Sequence, residues 1–494
     1  MLHGRRQGAS TGSDKNFGKS SGARKRQESN RLTTVRVRLL VLSLPVAVPI
    51  AAQAQVFGTV RVIVRDQQTP AVASRSVDQS RGFVYDSVSL EIQLLMRTTA
   101  LLAAAALAGC SSARTPIDRN PFTIRPIASP AAPRGSSEPQ LTVSGDRAIL
   151  SWVETSGASA TLKFAERTGG GWSPPHQAAA GTDWFLSWAD VPSVVSLEDG
   201  TLVAQWLQST DPHVEAYDVR LAFSHDEGRT WSQPTTPHHD GTKTQHGFVS
   251  MFPMPANRVG LVWLDGRETV VPENDNMTVR AATFDRNGRE AAETLIDDRV
   301  CDCCPTAVAM TSSGPIAAFR DRSAKEVRDI SVSRFVNGAW TPSATVHDDG
   351  WTLEACPING PAVAARGRDV VVAWFTAKQD QGQAFAAFSR DGGARFGAPV
   401  RLDDGSSLGR VAVAMLDGGA AAMWVEFADG RAELKLRRVD SSGRRSPSQT
   451  VAGINRDRAS GNARLVRRGG ELLLAWTETT DGNSAIKTAV ISQP

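Results

Sequence analysis

Val203-Ala-Gln-Trp206, then Asp218-Val-Arg-Leu-Ala-Phe-Ser224, then His225-Asp226-Glu-Gly228-Arg-Thr230-Trp231: the reading of this stretch decides the fold. The first run is apolar and closes on an aromatic. The second alternates with a period of two, the mark of a strand with one buried face. The third is a turn built on Asp and Gly and ended by another aromatic. Outward from here the pattern recurs at Leu150-Ser-Trp152, Leu261-Val-Trp263, Ile316-Ala-Ala-Phe319, Val372-Ala-Trp374, Ala422-Met-Trp424 and Leu474-Ala-Trp476. The seven aromatics stand 54, 57, 56, 55, 50 and 52 residues apart, and six of the chain's twelve tryptophans fall in this register. Self-similarity at a fixed period signals a repeat architecture.

Four short antiparallel strands in each repeat of this length is the arithmetic of a propeller blade. Residues 110–494 divide into seven at 55 apiece, which predicts an all-β, seven-bladed propeller over 139–494, with six blades as the alternative. No segment of the body sustains a 3.6-residue apolar period, which excludes a helical repeat. The last repeat runs out after its third strand. Phe122-Thr-Ile-Arg-Pro126, within 121–127, is placed to supply the fourth and so to hide two open sheet edges.

The turns after the third strands carry the most specific signal. Ser224, Asp226, Gly228 and Trp231 fit the Asp-box pattern Ser-x-Asp-x-Gly-x-Thr-Trp, and Ser389, Asp391, Gly393 and Phe396 make a second, looser copy. Weaker copies sit at Asp285–Gly288, Asn337–Trp340 and Gly169–Trp172. With these motifs residues 121–494 resemble the sialidase (bacterial neuraminidase repeat) family. That resemblance implies a propeller with the Asp boxes on one face and any active site on the other. It also implies three arginines that clamp a carboxylate, the first from a Phe/Tyr-Arg-Ile-Pro motif, a Tyr–Glu nucleophile pair and an Asp acid/base. The best match to the arginine motif is Ala189-Asp190-Val191-Pro192-Ser193, where Asp190 reverses the required charge. A fainter match is Phe122-Thr-Ile-Arg125-Pro126. The only tyrosines are Tyr85, in the leader, and Tyr217, which opens a third strand and is read as lying away from the axis. A true sialidase is therefore not expected.

In a propeller the inner strand begins, and the second strand ends, on the same face. Two residues past the repeated aromatics stand Glu154, Gln208, Asp265, Asp321, Thr376, Glu426 and Glu478. These carboxylates read either as caps on neighbouring groups or as an anionic funnel. In the second case Asp190, Asp265, Asp321 and Glu426 are the catalytic candidates for carboxylate-only glycoside hydrolysis. Arg267, Arg320, Arg322, Arg410 and His246 would then bind ligand, and Trp184 and Trp188 would offer sugar-stacking faces or pack beneath a loop. A carbohydrate or other small extracellular ligand is the partner expected.

The distinctive motif is Cys301-Asp302-Cys303-Cys304-Pro305, with Cys356-Pro357 one repeat later. Cys304 and Cys356 should open consecutive inner strands and meet near the axis. Three readings follow: two disulfides, with Cys356 bridged to one of Cys301, Cys303 and Cys304; a thiolate metal site, with copper(I) suiting the donors best and His246 or Asp302 assisting; or a redox pair. Disulfides without a metal cofactor are the expectation. The fold's functions thus divide into a glycan-binding lipoprotein, a non-catalytic scaffold, and a copper or redox protein.

Met96-Arg97, the apolar run to Ala108, and Leu107-Ala-Gly-Cys110 resemble a bacterial lipoprotein signal peptide (96–109) with Cys110 as the lipidated residue. The alternative is a buried Ala-rich helix. A Pro-rich tether would span 110–138, and residues 1–95 read as a misplaced start or an extended leader without a folded role. The expected location is the cell envelope, held by the lipid anchor alone, as a monomer. The formal charge of +4 misleads: residues 1–95 hold 14 Lys and Arg against 6 Asp and Glu, whereas 110–494 hold 40 against 45. A body of net negative charge excludes nucleic-acid binding through a basic surface.

Overall fold

The structure, a computed structural model, describes residues 122–211, 215–271, 273–291 and 293–492. The leader, signal peptide, Cys110 and the first part of the tether lie outside the described residues. Strands alternate with tight turns throughout, and each third or fourth strand returns the chain to the axis. The result is seven antiparallel sheets, and the six-blade alternative is set aside. Blade 1 comprises Ser136–Ser144, Arg147–Ser156, Ser159–Glu166 and His176–Gly181. Blade 2 has Ser193–Ser196, Leu202–Asp211 and Ala216–Ser224, with Thr235 bridging its outer edge. Blade 3 has His246–Met254, Arg258–Asp265, Met277–Asp285 and Thr294–Val300. Blade 4 has Ala307–Thr311, Gly314–Arg320, Ile330–Val336 and two short outer pieces. Blade 5 has Ala362–Arg366, Asp369–Thr376, Gln383–Ser389 and Val400–Arg401. Blade 6 has Ser407–Leu416, Gly419–Ala428, Arg431–Val439 and Gln449–Ile454.

Blade 7 closes the ring. It takes Arg464–Arg468, Glu471–Thr480 and Asn483–Ser492 from one end of the fold, and Thr123–Ile127 from the other. The register runs from Thr123 opposite Ser492 to Ile127 opposite Thr488. Two otherwise open edges satisfy each other.

The apolar core is divided among the contacts between successive blades. Leu207 of blade 2 shares a cluster with Met251 and Trp263 of blade 3, and Met423 of blade 6 one with Leu474 and Trp476 of blade 7. Every repeated aromatic, Trp152 to Trp476, is buried on a second strand. The two best turn motifs share one hydrogen-bond plan on the lower face. Asp226 accepts from Thr230 N at 2.9 Å and Asp391 from Arg395 N at 3.0 Å, while Gly228 and Gly393 each donate N–H to the motif serine at 2.9 Å. Both glycines sit at positive φ, +83° and +85°, where a side chain is disfavoured.

The upper face, where inner strands begin, is less regular. Inner strands of blades 1, 3 and 6 lose register beside Glu138, Phe248 and Arg410, which adopt φ of +57°, +52° and +53°. Bulges of this kind re-aim side chains, and left-handed non-glycine residues concentrate at functional sites. Below them runs an axial cavity of about 200 Å³, lined by all seven inner strands, including Ser193, Ser250, Thr306, Arg410 and Asn462.

Candidate functional site

The ring of carboxylates on the upper face is largely structural. Trp152, Trp263 and Trp424 donate their indole N–H to Glu154, Asp265 and Glu426, each two residues on, at 2.8, 2.8 and 2.7 Å. Blade 5 has Thr376 at that position, and Trp374 is capped instead by Asp349 at 2.7 Å. Phe319 needs no cap, so Asp321 accepts from Ser331 Oγ at 3.0 Å and from Arg322 N at 2.7 Å. Asp265 is further held by Arg267, Nε and NH2 both at 2.7 Å, which outweighs burial and keeps its carboxyl ionised. Asp265 and Glu426 thus cap indole N–H groups.

The arginines expected to bind ligand are likewise committed. Arg320 is buried, lies over the Trp351 ring and donates to the carbonyls of Asn359 and Phe375 at 2.9 and 2.7 Å. Arg410 lies over Trp188 and donates to Ser460 Oγ and to the carbonyls of Arg456, Asp457 and Gly461; burial pushes its pKa down to about 10. Arg322 pairs with Glu326 and Arg267 with Asp265 and Glu293. Trp184 stacks on Trp206, ring centroids 5.7 Å apart. Sequence could not reveal this, because the acceptors are mostly backbone carbonyls brought together by the fold.

Asp190 occupies a buried notch between blades 2 and 3. Its Oδ2 accepts Phe248 N at 2.6 Å, which fastens the blade 3 bulge. An added Cβ at Gly247 would come within 2.1 Å of Asp190 Oδ2 and 2.8 Å of Tyr217 Cε2, so only glycine fits there. Tyr217 is therefore beside Asp190, because third strands begin on the same face as the next blade's inner strand. Its ring stacks on Phe185 at 3.9 Å. Glu138, on the blade 1 bulge, was not foreseen. Burial raises Asp190 to about 7, and burial plus the Asp190 charge raises Glu138 to about 8.

The cysteines converge as the repeat spacing implies. Cys301 and Cys304 are buried, Cys303 is half-buried and Cys356 exposed. Cys301 Sγ lies 3.4 Å from Cys304 Sγ and 3.8 Å from Cys303 Sγ. Cys303, Cys356 and Asp302 form a second, overlapping group with all donor atoms within 4.8 Å. The expected bridge to Cys356 is not formed, and all four are free thiols; these separations are non-bonded against about 2.05 Å for a disulfide. The hydrogen-bond contacts with Cys303 and Cys304, and the Arg320 charge, lower the pKa of Cys301. Cys303 is pushed up by Cys301, Cys304 and Cys356, and Cys304 by burial. His246 lies in another cluster, with His238, Asp218 and Asp240, and not among these ligands.

No protein-family model matches the chain, and no curated protein sequence matches it. Among solved structures it is similar to a protein of unknown function from Dyadobacter fermentans (14% identity, 76% of this chain and 99% of that one, TM-score 0.45). It is similar also to the α-L-arabinanase of Penicillium chrysogenum complexed with arabinobiose (11%, 76% and 97%, TM-score 0.40). A third is the NanB sialidase of Streptococcus pneumoniae (12%, 76% and 71%, TM-score 0.37). The fold described above rests on this chain's own seven sheets.

Proposed function

We propose that this propeller is a soft-metal-binding protein whose centre is the thiol cluster Cys301, Cys303 and Cys304, with Cys356 and Asp302 at its outer edge, and that copper(I) is its ion. The observation that carries this reading is the convergence of four sulfurs from two blade connections. Thiolates bound about 2.3 Å from one ion lie roughly 3.8–4.0 Å apart, close to the spacing in the cluster. Soft sulfur donors favour copper(I) among available metals. The Arg320 charge beside Cys301 offsets the negative charge that bound thiolates accumulate. Exposed Cys356 and half-buried Cys303 offer a path inward by ligand exchange. Export and lipid attachment at Cys110 belong to the same reading, supported by the order of the charged start, apolar run and Leu-Ala-Gly-Cys.

Anaerobic titration of the reduced protein against a chromogenic copper(I) chelator tests it. One equivalent should be withdrawn from the chelator by the wild type, and the affinity should fall at least tenfold in Cys303→Ser. Four thiols that stay fully reactive after copper is added would refute the proposal.

Carbohydrate hydrolysis is retained as a second reading on one observation, the Glu138–Asp190 pair beside Tyr217. A carboxyl titrating near neutrality suits a general acid. A panel of chromogenic glycosides decides it: turnover abolished by Asp190→Asn supports this reading, and none on any member removes it. A fluorogenic sialoside should remain intact, because Asp190 stands where the arginine of the carboxylate clamp would be.

A further inference from the structure

Between blades 2 and 3 two histidines lie face to face in a buried pocket. His238, on the segment leaving blade 2, and His246, which opens the inner strand of blade 3, stack with ring centroids 3.8 Å apart and planes 4° apart. Both are more than nine-tenths buried. Asp240 touches one edge of the stack, its Oδ2 lying 3.2 Å from His246 Nε2 and 3.5 Å from His238 Nδ1. Asp240 also accepts Thr242 N at 2.9 Å, as a carboxylate does. It accepts and cannot donate. Each ring must therefore give it an N–H, which assigns the tautomers: the lone pairs are on His238 Nε2 and His246 Nδ1.

Those two nitrogens face Asp218 on the third strand of blade 2, and Asp218 Oδ1 lies 3.8 Å from each. Neither nitrogen has a hydrogen-bond partner among the described residues. Three acceptors thus converge with no donor between them. A water could serve two of them; a cation serves all three.

We infer that Asp218, His238 and His246 form a second metal site, for a borderline divalent cation such as zinc or copper(II), distinct from the thiol cluster. Two imidazoles and a carboxylate are the donors such ions select, leaving a position open to solvent. Asp240, holding the far N–H of both rings, is the partner that fixes tautomer and orientation in histidine metal sites. Ligands bound at about 2.1 Å around a tetrahedral ion sit roughly 3.4 Å apart, so gaps of 3.8 Å need to close only slightly. The rings are parallel, so an ion shared by both lone pairs requires each to turn about its Cβ–Cγ bond. Binding therefore opens the stack. Asp218 is partly exposed, which gives the ion its entrance.

Cobalt(II) added to the full chain under reducing conditions distinguishes the two sites, because thiolate ligation gives intense sulfur-to-metal charge transfer and a His–Asp set gives weak visible bands alone. One equivalent of cobalt with the second signature is expected, together with shifted imidazole NMR resonances. Affinity should drop at least tenfold in Asp218→Asn, which is nearly isosteric and partly exposed and so keeps the fold, and 10- to 100-fold in Asp240→Asn. Cobalt that shows only sulfur charge transfer, or affinity for the non-thiolate site unchanged in Asp218→Asn, overturns the inference. Zinc competition for the same bands, intact in Cys303→Ser, shows that the site stands independently of the thiol proposal.

Discussion

At the scale of single residues, the least legible feature was the buried acid pair. Asp190 was legible as a misplaced charge in a motif and as one of four candidate carboxylates, but Glu138 was not, because its position depends on a bulge that no local pattern announces. Their linkage to pH follows from sign. Asp190 titrates at about 7 in the fold against an ordinary 3.8, and Glu138 at about 8 against 4.5. Folding therefore favours the protonated forms, and the stability they contribute below pH 4 is lost as pH rises toward 8. Asp190→Asn keeps an acceptor for Phe248 N but cannot ionise. Its melting temperature should fall less than that of wild type between pH 5 and pH 8.5; parallel falls would show that Asp190 is ionised in the fold throughout. The contact of Tyr217 with Asp190 was hidden for a related reason: that a third strand starts beside the next blade's inner strand is a fact of the assembled ring, not of the sequence around Tyr217.

At the scale of elements, the Trp-x-acid repeat separates what spacing can and cannot tell. The register of Trp152, Trp263 and Trp424 was plain, since a strand places residues two apart on one face. Whether the acid two residues later meets a ligand or the indole was open until the hydrogen bonds were seen. Two members of the series differ in a testable way. Glu426 accepts both Trp424 Nε1 and Asp404 N in a buried setting. Glu478 pairs with Lys487, and both side chains are more than 40% exposed. Urea unfolding should show Glu426→Ala destabilised by about 1–3 kcal/mol, the cost of leaving buried donors unpaired. Glu478→Ala should change by less than about 1 kcal/mol, as exposed pairs do. Equal losses would argue that the indole cap contributes nothing. The arginines show the same limit from the other side: Arg320 ends a second strand and Arg410 lies near the start of an inner one, yet carbonyls from distant turns take their donors.

At the scale of the whole molecule, seven sheets, a ring closed by Thr123–Ile127 and a thiol cluster at the upper face form one arrangement. Blade number was readable because the aromatic register is long and regular. Cysteine chemistry was not, since spacing brings Cys304 and Cys356 together equally well for a bridge or an ion. Lipidation is a separate expectation, checked by mass spectrometry of the membrane fraction: the mature chain should begin at diacylated Cys110, and retention of residues before it would contradict that reading. The claim on which the functional account rests is the sulfur environment of a bound copper(I). X-ray absorption at the copper edge of the loaded protein measures it most directly. The account expects a shell of three sulfurs at about 2.3 Å. A shell of nitrogen or oxygen in place of sulfur, or copper that washes away while the four thiols stay free, would contradict it.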